Sequence, residues 1–166
     1  GQMVPKMAPF GCGQRYNITG LIHDETGFPT NSTEEADKLM QRLMHKISDN
    51  YEDIVRSESL NTDDADTVIL CYGGTMRAAR SAMEAARAAG KKVGIFRPIT
   101  LWPFPERELL ELSKHARRIL VAEHNNGQIV LEAERIVKNN CRLDFIGRVN
   151  GTVITPEDLL RKLGEE

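Results

Sequence analysis

The sequence predicts an α/β fold: a mainly parallel sheet with helices on both faces, built from about residue 61 to the end of the 166-residue chain. Three observations carry this prediction. Four short runs, at 67–72, 92–97, 118–123 and 142–147, read as strands, and the first is almost wholly apolar, which suits a strand covered on both faces. Between them lie stretches of helical period with recognisable start and stop residues. Each connection is long enough to hold a helix, so the crossovers are right-handed and the strands run the same way.

The elements follow in order. "NSTEEADKLMQRLMHKI" has Ser32 and Glu35 at capping-box spacing, and Ala36, Leu39, Met40, Leu43, Met44 and Ile47 fall on one helical face. "SESLNTDDAD" (57–66) is polar and unpatterned and reads as a linker, which places a boundary near residue 60. The expected division is therefore 1–60, an N-terminal arm and helix, and 61–166, the α/β domain. After the strand "TVILCY", Gly73 and Gly74 precede an alanine-rich helix closed by Gly90. After "KVGIFR", Pro105 suits the first turn of a helix that turns Leu109, Leu110 and Leu112 inward, with Glu106 and Glu108 near its positive end. After "RILVAE", Asn125 or Asn126 can cap a helix whose apolar set is Ile129, Val130, Ala133, Ile136 and Val137. "RLDFIG" is the fourth strand, and Thr155, Pro156 and Gly164 punctuate a closing helix.

Composition narrows the function. A formal charge of −2 argues against a nucleic-acid binder, and no apolar run is long enough to cross a bilayer. Cys12, Cys71 and Cys141 are far apart with no CxxC pair, so no zinc site or iron–sulfur cluster is expected. A cytoplasmic location is the default. The Pro/Gly-rich opening resembles the tail of an earlier domain, and Gly1 reads as a remnant of tag removal.

In a parallel sheet the loops at the carboxyl ends of the strands emerge together. Here they are "YGGT", "RPITLWPFP", "EHNNGQ" and "RVNG". The basic clusters "AAGKK", "SKHARR" and "KNNCR" fall at the other edge, where helix ends favour cations. Gly73, Gly74, Thr75 and Arg77 form a candidate anion site, against the plainer reading of a tight turn; the Walker lysine and GxGxxG spacing are missing. Glu123 and His124 are suited to acid–base work, but neighbours on a strand point to opposite faces. His23, Asp24 and Glu25 allow a metal or, more simply, a hydrogen-bonded polar turn. No catalytic, cofactor or metal site is predicted.

The segments "TGLIHDETGFPT", "YGGTMRAAR", "VGIFRPITLWPFPE", "VAEHNNGQI" and "IGRVNGTVITPEDLL" resemble the C-terminal part of the α subunit of 2-oxoacid:ferredoxin oxidoreductases, the 2-oxoglutarate type especially. Gly74 and His124 depart from that family's usual residues. The resemblance implies a three-layer α/β/α, transketolase C-terminal-like domain with a mixed sheet of about five strands, one antiparallel. It also implies a complex that decarboxylates a 2-oxoacid on thiamine diphosphate, passes electrons through an iron–sulfur cluster to ferredoxin, and yields an acyl-coenzyme A. Thiamine diphosphate and magnesium would be held by an upstream pyrimidine-binding domain and the β subunit, with no cofactor on this segment. The expected role is docking, by an edge comprising Gly73, Gly74, Thr75, Arg97, Trp102, Phe104, Glu123, His124, Asn125 and Gln128. Trp102 would plug into a neighbour or fold back on its own core. The alternatives are a free-standing anion- or nucleotide-binding regulatory module, and the matching domain of a transketolase or lipoamide-linked dehydrogenase.

Overall fold

The computed structural model describes residues 6–15 and 20–165. By chain contact it divides into two compact units, one ending at Ile54 and one running from Val55. Of the opening segment, residues 1–5, Gly1 among them, and 16–19 lie outside the described residues.

In the first unit, α1 (Thr33–Ser48) starts at Ser32, whose side chain accepts from the Glu35 N–H at 3.4 Å. A short helix, α2 (Tyr51–Ile54), follows. Ahead of them, His23 bridges Pro29. The Asp24 carboxylate closes that turn by accepting from Thr26 N at 2.8 Å, Thr26 Oγ1 at 2.5 Å and Phe28 N at 3.3 Å. These bonds hold the Asp24 carboxyl below its ordinary pKa, the Thr26 hydroxyl contributing most. The stretch is a hydrogen-bonded turn. Among the described residues no group of three His, Cys, Asp or Glu side chains could hold a metal ion.

The second unit is a five-stranded sheet in the order β1-β3-β2-β4-β5, with β1 (Ser57–Leu60), β2 (Thr67–Cys71), β3 (Val93–Pro98), β4 (Arg118–Glu123) and β5 (Arg142–Gly147). β2 to β5 pair in parallel. β1 pairs antiparallel with β3, with Ser57 opposite Pro98 and Leu60 opposite Ile95. It lies where the sequence reads as a linker. An edge strand with one neighbour need not be apolar, and of its four residues only Leu60 joins the core.

Alternation sends each strand's side chains to two cores. Ile69, Cys71, Ile95, Leu120 and Ala122 meet α3 (Thr75–Ala88) and α6 (Pro156–Gly164) on one face. Val68, Leu70, Phe96, Ile119 and Val121 meet α4 (Glu106–His115) and α5 (Gln128–Val137) on the other. The result is the expected three-layer mixed sheet. Two glycines permit close contacts within it: a Cβ on Gly94 would lie 2.7 Å from the Asn61 carbonyl, and one on Gly147 would lie 2.7 Å from that of Asn125.

The edge away from the carboxyl ends is knitted by arginines. Arg118, almost wholly buried, pairs with Asp144 at 2.5 Å and donates to the Lys162 and Leu163 carbonyls, closing the C-terminus of α6. Arg87 pairs with Asp64 at 2.6 Å and donates to the Val93 and Asn61 carbonyls. Both arginines are thus engaged in holding that edge together.

Candidate functional site

Parallel pairing of β2 to β5 brings their four exits to one rim, and the antiparallel β1 begins on that same rim. Three of the exits meet at Asn125. Its Nδ2 donates to the Tyr72 hydroxyl at 2.8 Å, joining the β2 and β4 exits. Its Oδ1 accepts from Gly127 N at 2.8 Å and Gln128 N at 3.2 Å, which turns the chain into α5. Its carbonyl lies against Gly147 at the β5 exit. Burial, and next the Glu123 charge, raise the pKa of the Tyr72 hydroxyl, while the bond from Asn125 opposes them.

The residue at the formal start of α5 is Gly127, with φ of 98°, rather than Asn125 or Asn126. The principal cap comes from Glu123. Fully buried, its two carboxylate oxygens accept from Ile129 N at 2.9 Å and Val130 N at 3.1 Å, so the negative charge sits at the positive end of the helix. His124 turns to the opposite face, where its Nε2 accepts from Ile154 N at 2.9 Å. Glu123 and His124 therefore form no acid–base pair.

The remaining exit is the proline-rich one. Phe104 is 3% exposed and packs into the α4–α5 core, a burial that contributes about 1.5–3 kcal/mol. Trp102 is 68% exposed, with Ile99 at 54% and Leu101 at 40%. The Trp102–Pro103 peptide is cis. The indole does not close its own core; the phenylalanine two residues on does that.

Three residues of the expected docking edge are consequently interior: Thr75, Phe104 and Glu123 are all buried. Arg97 is half-buried at the β3 end and pairs with Glu58 at 3.2 Å. Burial pushes the thiol of the neighbouring Cys71 up to about 12; Arg97 draws it down a little and Glu58 adds to it. Gly73, Gly74, Trp102, His124 and Gln128 are exposed, and Asn125 is half-buried between them. Ile99 and Leu101 belong with this set, and their position in an apolar, proline-stiffened loop was the available signal. At the candidate anion site, Gly73 and Gly74 face open space and Arg77 is exposed, but the buried Thr75 turns its side chain into the fold.

Comparison with known proteins identifies the domain type. Residues 65–159 match the family described as pyruvate:ferredoxin oxidoreductase core domain II. The chain is 37% identical over 95% of its length to the 2-oxoglutarate synthase subunit KorA of Methanothermobacter marburgensis, covering 42% of that protein. It is 39% identical over 96% of its length to KorA of Methanocaldococcus jannaschii, covering 43%. The chain thus spans less than half the length of these relatives. The solved 2-oxoglutarate:ferredoxin oxidoreductase of Magnetococcus marinus superposes with a TM-score of 0.79 and 26% identity, over 97% of this chain and 28% of that one. A split-gene transketolase shares the fold, with a TM-score of 0.56 and 16% identity over 64% of this chain and 39% of that one. With the family match extending over more than half of its residues, this chain belongs to the pyruvate:ferredoxin oxidoreductase core domain II family.

Proposed function

We propose that this chain is a docking domain of the α subunit of a 2-oxoglutarate-type 2-oxoacid:ferredoxin oxidoreductase, working in the cytoplasm. The complex would decarboxylate its 2-oxoacid on thiamine diphosphate, reduce ferredoxin through an iron–sulfur cluster and release an acyl-coenzyme A. The pyrimidine half of the thiamine site would lie in an upstream domain of the same subunit, and the magnesium diphosphate half on the β subunit.

One observation carries the docking role. In a member of this family, four strand exits share a rim whose internal bonds are already made, and the stiffest of them presents Ile99, Leu101 and Trp102 to solvent. A loop fixed in advance loses little conformational freedom on contact, and tryptophan is enriched among interface anchors.

The test mixes the chain with the β subunit and the remainder of the α subunit, and titrates the chain alone with thiamine diphosphate by calorimetry. Association without thiamine binding is expected. Tight binding of thiamine diphosphate by the chain alone contradicts the reading. A rise in melting temperature with phosphate-bearing ligands, abolished by Arg77→Ala, would favour the regulatory-module alternative.

A further inference from the structure

We propose that Thr100 and Arg56 form a latch fastening the Trp102 loop to the point where the chain enters the α/β unit, so that loop and entry open as one element. Because β1 is antiparallel, that entry lies on the rim. Regular pairing reaches Ser57 and Pro98, and the next contacts are irregular. The Arg56 N–H donates to Thr100 Oγ1 at 2.8 Å, and the Thr100 hydroxyl donates to the Arg56 carbonyl at 3.3 Å. That carbonyl also accepts from Ile99 N at 2.9 Å and Thr100 N at 3.1 Å. The Arg56 guanidinium donates to the Val55 carbonyl at 2.7 Å.

Two features make this more than the end of a ladder. Thr100 lies two residues beyond the last residue of β3, so the hydroxyl takes over where strand pairing has stopped. It acts as donor and acceptor at once, which an apolar side chain of the same shape cannot do. The latch also joins two places in the chain: Leu101 and Trp102 follow Thr100 directly, and Arg56 is the second residue of the unit that begins at Val55. A partner seated on Trp102 would therefore act on the same element that receives the chain from the N-terminal unit. That consequence rests on the docking reading; the latch itself does not.

Residue-resolved amide exchange on the isotope-labelled chain tests it, with Thr100→Val as the near-isosteric variant and Thr100→Ser retaining the hydroxyl. In the native chain the amides of Arg56, Ile99 and Thr100 should exchange at a common rate. Thr100→Val should accelerate all three by about tenfold while the β2 and β4 amides keep their protection, and Thr100→Ser should stay within about twofold of native. Acceleration at Arg56 alone, with Ile99 and Thr100 unchanged, overturns the latch, because the two segments then open independently. Should the valine variant fail to fold, common exchange of the three amides in native and serine chains supports the latch, and differing rates overturn it. Failure of the latch leaves the docking reading intact, since that is tested by association with the β subunit.

Discussion

The Asn125 side chain donates to the Tyr72 hydroxyl at 2.8 Å, across 53 residues of sequence, and so ties the exits of two neighbouring parallel strands. The same amide turns the chain into α5 through Gly127 and Gln128. Asn125→Ala removes all three bonds and should lower stability by about 1–3 kcal/mol, whereas Tyr72→Phe removes one and should cost about 1 kcal/mol. Denaturant unfolding of the two variants and their double mutant measures the coupling; strict additivity would show that the bond contributes nothing.

Glu123 and its helix make a second prediction. Glu123→Gln keeps one acceptor oxygen for α5 and places an amide where the other backbone N–H points, so a loss of about 1–3 kcal/mol is expected. Thermal unfolding reads it directly. A neutral result would mean that the buried carboxylate does not support the helix start.

Cys71 should be chemically silent. With its pKa pushed up to about 12, it holds essentially no thiolate at neutral pH, while Cys12 is exposed. Alkylation of the native chain should label Cys12 first and reach Cys71 only on unfolding. The sign of the pH effect follows: the folded state keeps the thiol protonated above the unfolded pKa, so this contribution is complete below that value and falls as pH rises toward 12.

Lys138 ends α5 with φ of 52°, a conformation glycine adopts freely. Lys138→Gly should leave stability unchanged or raise it by up to about 1 kcal/mol, as a denaturation midpoint would show. A clear loss would show that the lysine side chain supports the helix end.

The contrast between Trp102 and Phe104 shows how far sequence alone reaches. Both are aromatic, both sit among prolines, and only the fold reveals that one fills the α4–α5 core and the other faces water. β2, β3 and β4 were legible because strands buried on both faces must be apolar, and α6 because Thr155, Pro156 and Gly164 punctuate it. β1 was not, since its partner is β3 and its composition is that of a loop. The Glu123 cap was hidden for a related reason: the N–H groups that donate to it are brought to it only once β4 and α5 are in place. In the proposed edge, sequence order located the rim, while burial removed Thr75, Phe104 and Glu123 from its surface.

Trp102 is the chain's single tryptophan, so its fluorescence is a direct probe of the rim. The chain alone should give the red-shifted, readily quenched emission of an exposed indole. Adding the remainder of the α subunit and the β subunit should shift that emission to the blue and protect it from quenching. Trp102→Ala should weaken assembly by at least about thirtyfold while costing the chain less than about 0.5 kcal/mol of stability. Emission that stays red and quenchable in the assembled enzyme, with unchanged assembly of Trp102→Ala, would contradict the docking role.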